Sequence, residues 1–89
     1  MKIKAGFVLR DVAGKTFVVA TGELSKSFKG MVTLNETGKF IWKLLEENDM
    51  TSSEIVDKIM VEYDVSDRAM VEADVERFIT KLSNDNVLE

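Results

Sequence analysis

The chain has 89 residues and a formal net charge of −4, with no cysteine, no histidine and no proline. That length supports one domain with one modest core, expected to span residues 1–89. Without cysteine or histidine there is no disulfide, no thiolate or Ser-His nucleophile and no ordinary zinc site, so an enzyme acting alone is not expected.

From the N-terminus, Met1-Lys2-Ile3-Lys4-Ala5-Gly6 lacks the apolar core of a signal peptide. Phe7 to Val12 reads as a strand, Ala13-Gly14-Lys15 as a turn with Gly14 supplying positive φ, and Thr16 to Ala20 as the return strand. Thr21 to Gly30 is small and polar, a loop. Gly30-Met31-Val32-Thr33-Leu34 is a short third strand, ended by Asn35, a good helix N-cap. The first helix then runs from Glu36 to Glu47, with Phe40, Ile41, Leu44 and Leu45 as its apolar stripe. Gly38, in its first turn, costs about 1 kcal/mol against alanine and asks for a close packing contact. Trp42 lies about 100° from Ile41 and is expected to cover the sheet edge or a neighbouring helix.

Thr51-Ser52-Ser53-Glu54 fits a capping box and opens a second helix with Ile55, Val56, Ile59, Met60 and Tyr63 on one stripe. Asp64-Val65-Ser66 connects it to a third, capped by Ser66 or Asp67 and running to Asn84. Its stripe is Val71, Val75, Phe78, Ile79 and Leu82. Asn84-Asp85-Asn86 ends it, since asparagine tolerates the left-handed conformation, and Val87-Leu88 can return to the core. The order βββααα predicts an α+β fold: a three-stranded antiparallel sheet followed by a three-helix bundle. A small sheet beside two closely joined helices has the form of a winged helix-turn-helix.

No apolar run approaches the roughly 20 residues of a membrane span, and the lack of cysteine fits a cytoplasmic protein. Neither a metal nor a cofactor is expected. Charge is divided unevenly. Residues 1–30 carry a net +4 and residues 31–89 a net −8, which favours a charged partner or mutual attraction of the two parts.

Three segments carry a resemblance to a known family. "GFVLRDVAGKTFVV", "GMVTLNETGKFIWKLLEE" and "YDVSDRAMVEADVERFITKLSNDNVLE" together resemble the PqqD-like proteins, the coenzyme PQQ synthesis protein D family, over almost the whole chain. Asn86 departs from the glycine often found there in the family, but can make the same turn. The resemblance implies a RiPP recognition element, a non-catalytic module that binds the leader of a ribosomal precursor peptide. Such a module presents the peptide to a modifying enzyme, often a radical SAM protein, and PQQ is one of several products the family serves. It implies binding by strand addition, with the leader antiparallel to the third strand and against the third helix. Carried onto this chain, the site is Met31, Val32, Thr33 and Leu34 on the strand, and Val71, Asp74, Val75, Phe78 and Lys81 on the helix. Strand alternation lets only some of these side chains face a peptide. Val32→Pro is expected to weaken binding, provided its backbone donor faces the open edge.

A winged helix also admits DNA binding. Residues 67–85, however, carry Asp67, Glu72, Asp74, Glu76 and Asp85 against Arg68, Arg77 and Lys81, a net of −2 that repels phosphate. A second alternative is a homodimer sealed through the same open strand edge.

Overall fold

A computed structural model of the protein describes residues 1–22 and 32–89. Among these residues, three antiparallel strands precede three helices, an α+β fold: β1 (Phe7–Val12), β2 (Lys15–Ala20), β3 (Val32–Leu34), α1 (Glu36–Glu47), α2 (Ser52–Glu62) and α3 (Arg68–Asn84). The expected loop over residues 21–30 falls, beyond Gly22, outside the described residues, as does Met31.

The β1–β2 hairpin turns on two residues, Ala13 and Gly14, with φ of 51° and 79°. Both are left-handed, because a two-residue hairpin matches the strand twist only with positive φ at both central positions. Expecting positive φ from Gly14 alone, and β2 to start at Thr16, therefore misses one residue on each count. Lys15 pairs with Val12, and the register runs from there to Phe7 opposite Ala20. The sheet order is β1-β2-β3, with β3 at an edge.

Helix α1 begins where Asn35 predicts. The Asn35 side chain accepts a hydrogen bond from the Gly38 amide at 2.7 Å. The buried face differs from the expected stripe. It is Gly38, Ile41, Trp42 and Leu45, while Phe40 and Leu44 are half-buried. Trp42 is fully buried and meets Phe7 of β1, an edge strand, edge-to-face, with ring centroids 6.1 Å apart. The apolar arc of α1 is wider than one face, and packing against the sheet chose which part of it to bury. Phe40 instead packs edge-to-face on Tyr63, at the end of α2, at 5.6 Å.

Helix α2 opens with the expected capping box. Thr51 accepts from the Glu54 amide at 3.2 Å, and Glu54 accepts from the Thr51 amide at 2.9 Å. Thr51→Ala is expected to lower stability by about 1 kcal/mol, read as a lower urea midpoint with an unchanged slope. Ile55, Val56 and Ile59 are buried, whereas Met60 is half-buried and Tyr63 exposed. The link to α3 is longer than the three residues expected. It runs from Tyr63 to Asp67, with Asp64 left-handed at φ 48° and Asp67 capping α3 through the Met70 amide.

At the far end of α3, Asn86 is left-handed at φ 60°. The Asn86 amide donates to the Ser83 carbonyl and the Val87 amide to the Leu82 carbonyl, each at 3.1 Å. These are the two bonds of a Schellman motif, here built with asparagine in place of glycine. The turn returns Val87 to the core, fully buried, and Leu88 bridges Ile3.

Candidate functional site

The backbone of β3 has one side against β2 and one side open, and the hairpin settles which residue serves which. In a two-residue hairpin the flanking pair, Val12 and Lys15, exchanges both ladder hydrogen bonds. Hydrogen-bonded pairs then alternate outward through Arg10–Phe17 and Val8–Val19. The next such pair would be Gly6–Thr21, and the Thr21 amide does donate to the Gly6 carbonyl, at 2.7 Å. Phe17 therefore points its amide and carbonyl at β1, while Thr16 and Val18 point theirs at β3. Their partners are Leu34 and Val32. Hence Val32 and Leu34 spend their backbone groups on β2, and Thr33 turns its N–H and C=O to the open edge. The donor of Val32 does not face that edge, so the condition set on a Val32→Pro test is not met.

The side chains divide the same way. Val32 and Leu34 are buried under the helices, and Thr33 is exposed on the opposite face. Beside the end of β3 lies a groove of about 300 Å³. One wall is the start of α1, with Asn35, Thr37 and Gly38; the other is α3, with Asp74, Phe78 and Lys81. Its floor depends on Gly38. A Cβ there would lie 3.1 Å from the Phe78 ring and 3.1 Å from the Asn35 cap oxygen. The glycine that looks unfavourable in a helix is the seat of Phe78. The cap oxygen is held by its own hydrogen bond, so the ring is the part that can yield. Gly38→Ala is expected to displace Phe78 toward the groove, read as shifted Phe78 ring resonances, with little net stability change because helix propensity gains about 1 kcal/mol.

Of the residues expected at the site, Thr33, Asp74 and Lys81 are exposed and Phe78 is half-buried. Val71 and Val75 are buried with Val32 and Leu34 in the core. Asp74, Phe78 and Lys81 are brought together in the groove, and Thr33 presents the edge beside it. Five lining residues escape sequence reasoning: Asn35, Thr37, Gly38, Ile41 and Arg77. Arg77 is ion-paired with Asp74 one turn away, and both are exposed, so the pair contributes at most about 1 kcal/mol. Their signal was the adjacency of a helix start to a free strand edge. Lys81 has no ion-pair partner among the described residues and leaves one positive charge on the rim.

A larger cleft, of about 630 Å³, lies between the hairpin tip and α1. Two of its four charged residues, Asp11 and Lys39, already partner each other. Asp11 accepts from the Thr16 hydroxyl at 2.5 Å and pairs with Lys39 at 3.3 Å. The hydroxyl first, and then Lys39, hold the Asp11 carboxyl below its ordinary pKa. This cleft lies beside the other sheet edge, that of β1, and away from the β3–α3 surface, so the smaller groove beside Thr33 is the better candidate.

The sequence model of the family described as Coenzyme PQQ synthesis protein D (PqqD) matches residues 6–88. Among solved structures the chain is similar to TbiB1, solved in complex with the TbiA(beta) leader peptide. The two are 34% identical with a TM-score of 0.76, over 100% of this chain and 95% of that one. No curated protein matches the chain.

Proposed function

This chain belongs to the coenzyme PQQ synthesis protein D family, and from that premise we propose that it is a RiPP recognition element, a peptide-binding module for the leader of a ribosomal precursor. The leader adds as a fourth, antiparallel strand at β3 and lies against α3, and the module presents it to a modifying enzyme. A radical SAM protein is the kind of enzyme we have in mind, acting in the cytoplasm. The module itself performs no chemistry and needs no cofactor. The observation that carries this reading is the free Thr33 amide and carbonyl at the rim of the Phe78 groove. A strand edge gives affinity through main-chain hydrogen bonds, and an adjacent groove gives selectivity through side chains. Support comes also from TbiB1, whose structure holds a leader peptide.

Within the proposed site, Val32, Leu34, Val71 and Val75 support the groove from the core rather than touching the peptide. Thr33 supplies the backbone contact, and Phe78, Asp74 and Lys81 meet side chains. Met31 lies outside the described residues. The exposed face of α3 carries Glu72, Asp74 and Glu76, which is unfavourable for a nucleic acid. No helix among the described residues is long and apolar enough to cross a membrane.

The test is an NMR titration with the precursor peptide encoded beside the gene. The Thr33 amide is expected to shift most, together with Gly38, Phe78 and Lys81. Shifts confined to α2, or none at all, would remove the reading.

A further inference from the structure

We infer that the peptide read at this edge presents an apolar side chain, then one free outward-facing residue, then a second apolar side chain, in register with Leu34, Thr33 and Val32. This rests on the peptide-binding reading and adds to it the phase of the bound strand. Within β3 only Thr33 turns its amide and carbonyl outward, so a partner residue directly opposite it makes the hydrogen-bonded pair: Thr33 N–H donates to that residue's carbonyl, and its N–H donates to the Thr33 carbonyl. Residues directly opposite in a sheet share a face. The central peptide residue therefore lies on the face of Thr33, which is exposed. In an antiparallel pair the residue before it stands opposite Leu34 and the residue after it opposite Val32. Both share the face on which Leu34 and Val32 are buried, at 5% and 7% exposure, and which the helices cover.

That face dictates the chemistry. A side chain opposite Leu34 is directed to the groove whose apolar wall is the Phe78 ring on Gly38. A charged group there would lose water without gaining a buried partner, since the groove's ionic side chains, Asp74, Arg77 and Lys81, are all exposed. Lys81, the groove's cation with no ion-pair partner among the described residues, is exposed at the rim and can meet charge only outside the apolar pair. The central residue meets no wall and is unselected. A one-residue slip would reverse all three positions, so the phase is a sharp requirement.

The probe is a display library of randomised dodecapeptides selected on the immobilised chain, with a Thr33→Pro variant as the counter-selection. The strongest binder is then resynthesised with single backbone N-methyl groups, which leaves the protein untouched. The expected result is enrichment of apolar residues two positions apart with an unrestricted residue between them. N-methylation of the central residue should weaken binding by about fivefold or more, and that of its neighbours by about twofold or less, since only the central amide is a donor to β3. Binders that depend on Thr33 but show adjacent apolar residues, or the opposite N-methyl pattern, overturn the inference and leave peptide binding standing. No enrichment over the Thr33→Pro counter-selection overturns peptide binding itself, and the inference with it.

Discussion

Thr33→Pro is expected to weaken leader binding by at least about tenfold while leaving the fold intact. Proline removes the one donor that β3 turns to its open edge, and its ring occupies the line of approach of an added strand. Proline is tolerated on an edge strand when the missing N–H is the outward one, and the residue before it is held in the extended region that Val32 already occupies. The pairs Val18–Val32 and Thr16–Leu34 do not use the Thr33 amide and survive. Val32→Pro is the informative contrast. It breaks the ladder to β2 and disturbs a buried side chain, so it should lower stability whatever it does to binding. Anisotropy of a labelled precursor leader gives the affinity, and circular dichroism melting checks the fold. A folded Thr33→Pro variant with unchanged affinity would mean that the peptide does not add to β3.

Trp42→Ala is expected to cost about 3–5 kcal/mol, a large share of the stability of a chain this size. Trp42 is the largest fully buried side chain and links α1 to Phe7 of β1. Its removal leaves a cavity at the joint between the helical layer and the sheet, where β1 cannot move without disturbing β2 and hence β3. Trp42→Phe should cost much less. The indole Nε1–H is buried with no hydrogen-bond partner among the described residues, and removing that orphan offsets part of the lost volume. Urea unfolding followed by far-ultraviolet circular dichroism measures both, since the only tryptophan is the one replaced. Equal losses in the two variants would show that neither the retained ring area nor removal of the orphaned donor offsets the loss of the indole.

Local signals in this chain were strong where they bear on a few neighbouring residues. Asn35, the Thr51–Glu54 box and Asn86 each act within one helical turn, and each does in the structure what its residue type requires. Burial was less legible. The α1 stripe read as Phe40, Ile41, Leu44 and Leu45 rotated toward Gly38 and Trp42, because apolar residues surround much of that helix and only the sheet beneath it selects a face. The α3 stripe survived at Val71, Val75 and Leu82, with Phe78 diverted into the notch that Gly38 leaves.

The sequence by itself determined the element order, the helix starts and stops and the family resemblance, since these depend on residue type and short-range spacing. It also named the strand and helix of the proposed site. Only the tertiary structure decided which of their atoms a peptide could reach. That the outward backbone belongs to Thr33 and not Val32 follows from a two-residue turn some twenty positions earlier, transmitted through two pairings of the sheet. A hydrogen-bond phase is a property of paired strands, and no single strand carries it in its own sequence.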